Sequence, residues 1–163
     1  MVNINDIRWG GSGIEKIVFD YICDLLPEGK HILELGSGYV STFAFSTRYK
    51  VTSIEENEDY INTIENVKYI HAPIDESGWF DAQKVYDGLP MTYDLIFIDA
   101  PCGGGKRSGF LDNLALFDLT VPMIFHDTYR DTERLLCENV AKALRKKPIF
   151  FDNKGGDSWG VIL

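Results

Sequence analysis

Apolar residues recur along this chain in two rhythms: a helical one at three- and four-residue spacing, and short unbroken runs of buried-strand type. Ile14, Ile17, Val18, Ile22, Leu25 and Leu26 make the first helical stripe. Ser12 reads as its N-cap with Glu15 at the third helical position, a capping-box spacing, and Pro27-Glu28-Gly29 ends it. Residues 31–35, HILEL, then read as a buried strand, followed by a glycine turn, a helix over 41–49 and a second strand over 51–54. The pattern continues with a helix over 59–66, a third strand over 67–70, and an irregular stretch over 71–91 holding a short helix near 80–86. The apolar run 93–98 is the clearest strand in the chain, and Pro101 stops it. After a glycine-rich loop at 103–109 come a helix over 110–117, a fifth strand over 121–125 and a long amphipathic helix over 132–146. That last helix carries Leu136, Val140, Ala143 and Leu144 on one side. Residues 148–151 and 159–163 read as two strands joined by DNKGGDS, the turn chemistry of an antiparallel hairpin.

Strands alternating with helices predict an α/β fold: a Rossmann-like, doubly wound, mostly parallel sheet with a C-terminal antiparallel hairpin. The 163 residues suit a single domain. Residues 1–13, with Trp9, Gly10 and Gly11, are the spare segment able to close as a lid. The N-terminus lacks the basic and apolar regions of a signal peptide, and no apolar run approaches the roughly 20 residues that span a bilayer. A cytoplasmic protein without a membrane partner is the expectation. Cys23, Cys102 and Cys137 form no CxxC pair, which argues against a zinc site or a disulfide framework. The formal charge of −9 repels phosphate backbones and counts against a nucleic-acid partner.

In open α/β sheets the ligand lies beyond the carboxyl ends of the strands. Those ends carry Glu34-Leu35-Gly36-Ser37-Gly38, Glu55, Asp75, Asp99 and His126-Asp127. Such an acidic rim suits a cationic or hydroxyl-bearing ligand and disfavours a pyrophosphate. Gly36 and Gly38 let a ligand approach the backbone. A carboxylate at Glu34 makes sense against an ammonium group. Glu55 follows Gly36 by 19 residues, matching the acidic residue about 20 positions on that holds ribose hydroxyls. Asp75 is placed to accept from an adenine amino group. The pattern Glu34-x-Gly36-x-Gly38 resembles the first motif of S-adenosylmethionine-dependent methyltransferases, with Val40 in place of that motif's final glycine. The terminal hairpin is likewise similar to the seven-stranded class I methyltransferase fold, where the last strand inserts antiparallel beside the fifth. The resemblance implies S-adenosylmethionine as cofactor, held by Glu34, Gly36, Ser37, Gly38, Glu55, Asp75 and Asp99.

The glycine-rich loop fails the P-loop pattern, because Arg107 follows Gly105-Lys106 and Ala100 occupies the first glycine position. It leaves Lys106 and Arg107 either solvated or free to clamp an acidic group on an acceptor. His126 has the ordinary pKa of a general base for a hydroxyl acceptor. Asp99 and Asp127, ending neighbouring strands, form with it the catalytic candidates, or jointly offer oxygen ligands to a divalent metal. Catechol-type O-methyltransferases resemble this at both strand ends, although Thr128 stands where they have a third, asparagine ligand. Arg130 and Glu133 read as an ion pair opening the last long helix. Over residues 93–137, Asp99-Ala100-Pro101, Gly105, Arg107 and His126-Asp127-x-x-Arg130-x-x-Glu133 resemble the glucuronoxylan 4-O-methyltransferase family and small bacterial methyltransferases. That likeness implies O-methylation of a sugar or another small-molecule acceptor. The rival readings are a non-catalytic S-adenosylmethionine-binding protein, an NAD-dependent oxidoreductase, and a nucleic-acid methyltransferase. Glu34 and the hairpin disfavour the oxidoreductase, and the lack of a basic face or an [ND]PPY motif disfavours the last.

Overall fold

The apolar runs of the sequence become the central strands of one sheet. The computed structural model describes residues 4, 7–11, 13–101, 106–153 and 158–163. Among these, β1 (His31–Leu35), β2 (Lys50–Glu55), β3 (Lys68–His71), β4 (Leu95–Ile98), β5 (Met123–His126), β6 (Ile149–Asp152) and β7 (Ser158–Ile162) form a seven-stranded sheet. Its order is β3-β2-β1-β4-β5-β7-β6. The first five strands run parallel; β7 lies antiparallel beside β5, pairing Trp159 with His126, and β6 pairs antiparallel with β7. The hairpin expectation is met, with its connecting residues 154–157 outside the described residues.

Strand alternation divides the core between the two faces. Leu33, Leu35, Ile96, Ile98, Met123 and Phe125 face one side, against Trp79, Phe80 and Phe110. The helix α5 (Asp131–Ala143) covers that side with Leu136 and Val140. Ile32, Leu95, Phe97 and Ile124 face the other, under α1 (Lys16–Leu25) and α2 (Ser41–Ser46). Burial on both faces is why β1 and β4 read as continuous apolar runs. The break between β1 and β4 in the chain order places the β1 and β4 carboxyl ends side by side, where a ligand crevice forms.

Two expected helices are shortened for a local reason. Residues 59–66 hold only a 3₁₀ turn at Glu58–Tyr60. The Asn57 side chain accepts from the Asp59 N–H at 3.0 Å, and Thr63 Oγ1 donates to the Tyr60 carbonyl at 3.2 Å. Asn62 and Asn66 both take positive φ. Side chains that bond nearby backbone in this way compete with a helix. Residues 110–117 split into α4 (Gly109–Asp112) and a 3₁₀ turn at Leu114–Leu116. The Asn113 side chain donates to the Gly109 carbonyl, displacing the next helical N–H from that acceptor. The first helix starts at Lys16 with Glu15 as its N-cap, and the expected cap Ser12 lies outside the described residues, as does Cys102 with glycines 103–105. No helix of the described residues is long and apolar enough to cross a membrane.

The short α3 (Ala82–Gly88) depends on its cap: Asp81 accepts from the N–H groups of Gln83 and Lys84, both at 3.1 Å. Asp81→Ala should cost about 1 kcal/mol, read as a lowered denaturant midpoint with an unchanged m-value.

Candidate active site

Gly36 opens the turn after β1 at φ +98°, and its backbone passes so close to the end of β4 that an added Cβ would meet the Ala100 Cβ at 2.5 Å. Only glycine fits there. Each N–H of the turn then finds a partner within the protein. Gly36 N donates to the Ile54 carbonyl at 2.8 Å, Ser37 N to Glu55 Oε2 at 2.7 Å, and Gly38 N to Thr42 Oγ1 at 2.8 Å. Glu55 Oε1 accepts from Asn57 N at 2.9 Å, which fixes the carboxylate against the turn. Burial pushes the Glu55 carboxyl above its ordinary range, opposed by these two backbone donors and reinforced by neighbouring Glu56.

Glu34 is placed differently from expectation. Alternation along β1 turns it to the α1/α2 face together with Ile32, and it is 0 % exposed. Its Oε2 accepts from Thr42 Oγ1 at 2.7 Å, while Oε1 is buried without a hydrogen-bond partner. Burial pushes its carboxyl up to about 8, against hydrogen bonds that pull it down. From this position Glu34 does not line the crevice, so the direct contact expected with an ammonium gives way to a brace: Gly38 N–H to Thr42 hydroxyl to Glu34 carboxyl. Thr42 was missed in the sequence. Its signal is a Ser-Thr pair opening a helix immediately after a glycine turn, where both residues are buried.

The crevice is a cavity of about 530 Å³, within the range of small-molecule and cofactor sites. Gly36, Ser37, Gly38, Glu55, Asp99 and Ala100 line it, so the glycine turn and the ends of β2 and β4 do meet. Tyr39 and Tyr60 stand on its wall with ring centroids 5.6 Å apart, a pair the sequence reading did not single out. Gly13 from the N-terminal segment reaches the wall, whereas Trp9 packs on Phe19 of α1. Asp75 is not among the wall residues. It is exposed and its carboxylate accepts from the N–H and hydroxyl of Ser77, chiefly the hydroxyl, which holds its pKa down. That turn occupies the group expected to reach an adenine.

Asp99 joins the cavity to the chemistry candidates. His126 Nδ1 lies 3.1 Å from Asp99 Oδ1 and 3.5 Å from Asp127 Oδ1, and His126 is 4 % exposed. Asp127 takes φ +61°, a conformation aspartate tolerates at a strand end. Arg107 Nη2 stands 2.9 Å from Asp99 Oδ1 and 3.2 Å from Asp127 Oδ2. Burial would raise the Asp99 pKa, but the charges of His126, Arg107 and Arg130 and the bond to His126 outweigh it and hold the carboxyl below its ordinary value. Arg130 pairs with Asp127 at 3.2 Å in place of the expected Glu133, whose carboxylate accepts from the Thr132 hydroxyl. Lys106 lies over Gly78, Lys106 and Arg107 line a cavity separate from the crevice, and the Arg107 guanidinium is held by Asp99 and Asp127.

Asp99, His126 and Asp127 offer three ligand atoms within 4.8 Å of one another, a plausible donor set by type alone. The Arg107 guanidinium already bridges both carboxylates, and its charge is fixed. The set therefore does not fit a divalent ion.

No family model matches the sequence, and no curated protein matches it. Solved structures do match in shape. The C-terminal domain of precorrin-6Y C5,15-methyltransferase from Rhodobacter capsulatus aligns with TM-score 0.63 at 12 % identity, covering 97 % of this chain and 93 % of that one. A methyltransferase from Pyrococcus furiosus aligns with TM-score 0.59 at 18 % identity, covering 96 % and 87 %. The E. cuniculi Mtq2–Trm112 complex, described as methylating the eRF1 termination factor, aligns with TM-score 0.52 at 15 % identity, covering 96 % and 97 %. The fold is the Rossmann-like methyltransferase fold. The glucuronoxylan likeness rests on the sequence motif alone.

Glu34 gives the site a pH signature. Unfolded, the carboxyl ionises near 4.5; folded, it keeps its proton to about 8. Its stabilising contribution is complete below the lower value and is lost as pH rises toward the upper one. Glu34→Gln should match the parent at pH 5 and melt higher at pH 8. Equal melting shifts at both values would show that Glu34 is ionised throughout.

Proposed function

We propose that this chain is an S-adenosylmethionine-dependent methyltransferase that methylates a hydroxyl oxygen on a small-molecule or saccharide acceptor. The observation that carries the reading is the use of the glycine turn. A pyrophosphate needs amide N–H groups at such a turn. Here Ser37 N–H and Gly38 N–H are taken by Glu55 and Thr42, and the turn presents a carboxylate to the cavity. That surface suits ribose hydroxyls and a cationic ligand, and repels a dinucleotide.

Bound S-adenosylmethionine supplies an electrophilic methyl group on a sulfonium. The protein's own work is placement and proton removal, which is where rate is gained in such an in-line displacement. Gly36, Ser37 and Gly38 seat the methionine portion, braced from below by Thr42 and Glu34. Glu55 accepts from the ribose hydroxyls. Asp99, on the cavity wall, provides the counter-charge for the cofactor. By accepting the Nδ1 proton of His126, Asp99 also leaves Nε2 as the basic nitrogen. With cofactor and acceptor bound, His126 would take the proton that the acceptor hydroxyl loses on methylation.

Glu55→Ala should weaken S-adenosylmethionine binding by at least about tenfold, the loss of a charge-assisted hydrogen bond; unchanged affinity would remove Glu55 from the site. His126→Ala should bind the cofactor normally yet lose about 10²- to 10⁴-fold in turnover on hydroxyl acceptors. The assay follows transfer of a labelled methyl group to a panel of hydroxyl, amine and carbon acceptors. Transfer at the parent rate in His126→Ala would contradict the assignment of the base.

A further inference from the structure

Arg107 lies in the glycine-rich loop just before α4, yet its side chain is only 7 % exposed. One nitrogen, Nη2, stands within 2.9 Å of Asp99 on β4's end and 3.2 Å of Asp127 on β5's end. The other, Nη1, donates to the His126 carbonyl at 3.3 Å. The backbone is pinned on both sides, with Lys106 N–H donating to the Gly78 carbonyl and Phe110 N–H to that of Arg107. Arg130, half exposed, reaches Asp127 from the open side at 3.2 Å. The side chains of five residues thus meet, two anionic, two cationic and one imidazole.

By ligand type alone the same place offers the donors of a metal site. Asp99, His126 and Asp127 are an oxygen–nitrogen–oxygen set with ligand atoms within 4.8 Å. Two carboxylates so close, and largely shielded from solvent at 19 % and 14 % side-chain exposure, are favoured by a cation between them. An arginine meets that need with a charge it does not give up and with fixed fork geometry. A divalent ion entering the set would face that charge at short range in a poorly hydrated setting.

We infer that Arg107 is a built-in cation: it occupies the place of a divalent metal, holds Asp99 and Asp127 in register for His126, and makes the acceptor end metal-independent. Arg107 is here a positioning residue, acting through Asp99 and Asp127. Its bearing on catalysis rests on the methyltransferase reading; the charge substitution itself does not, and its test needs neither cofactor nor acceptor.

The test is Mn²⁺ binding by calorimetry and by the electron paramagnetic resonance signal of free ion, for the parent, Arg107→Ala, Arg107→Lys and Arg107→Ala/Asp127→Asn. The parent and Arg107→Lys should leave Mn²⁺ free at micromolar concentration. Arg107→Ala should bind it at least about tenfold more tightly than the parent, and the added Asp127→Asn should abolish the gain. Micromolar binding by the parent that Asp127→Asn removes would overturn the inference, as would folded Arg107→Ala with no gain. Should Arg107→Ala not fold, the parent's melting temperature decides: no change between Mn²⁺ and a chelator supports the inference, and a Mn²⁺-dependent rise lost in Asp127→Asn overturns it.

Discussion

The bond from Ser37 N–H to Glu55 is the contact on which the cofactor side of this site depends. A parallel sheet delivers its strand ends to one edge, but only backbone geometry decides what that edge presents. Gly36 brings the turn against Ala100, and the turn then donates its amide to a carboxylate from the neighbouring strand. One hydrogen bond both anchors the turn and changes its chemistry, from an anion cradle to an acceptor of hydroxyls. Thr42 and Glu34 act in the same sense from below, taking the next amide into the protein.

The same economy of charge governs the acceptor side. Acidic strand ends at Asp99 and Asp127, side by side and half-buried, repel one another unless a cation stands between them. Arg107 supplies it from the loop that follows β4, and the ordering leaves His126 beside an ionised Asp99. Asp99 is shared by the two halves, since it lines the cavity and bonds to His126. His126 and Asp127 are not among the residues of that cavity wall; Asp99 is the residue that touches both the wall and His126.

The fold was legible because its signals are local. Apolar runs marked β1 and β4, and DNKGGDS between two short strands announced the hairpin. Spacing from Gly36 found Glu55, because the length of a βαβ unit is nearly fixed. Glu34 was recognised by type but misplaced by role: a one-dimensional pattern does not tell which face of β1 a residue takes until the helices are docked. Arg107 was read as either solvated or a clamp on an acceptor, since its partners, Asp99 and Asp127, come from two other elements. Asp75 looked well placed at a strand end, yet Ser77, two residues on, claimed its carboxylate. The helix over 59–66 failed because Asn57, Asn62 and Asn66 favour local turns over helical bonds.

Parallel calorimetric titration with S-adenosylmethionine, S-adenosylhomocysteine and NADH tests the central claim most directly, because the three ligands differ in what they ask of the glycine turn. Binding of both adenosyl ligands with no measurable NADH binding is the predicted result. Tight NADH binding without S-adenosylmethionine binding would contradict the account, since it would require the Ser37 and Gly38 amides to leave Glu55 and Thr42 for a pyrophosphate.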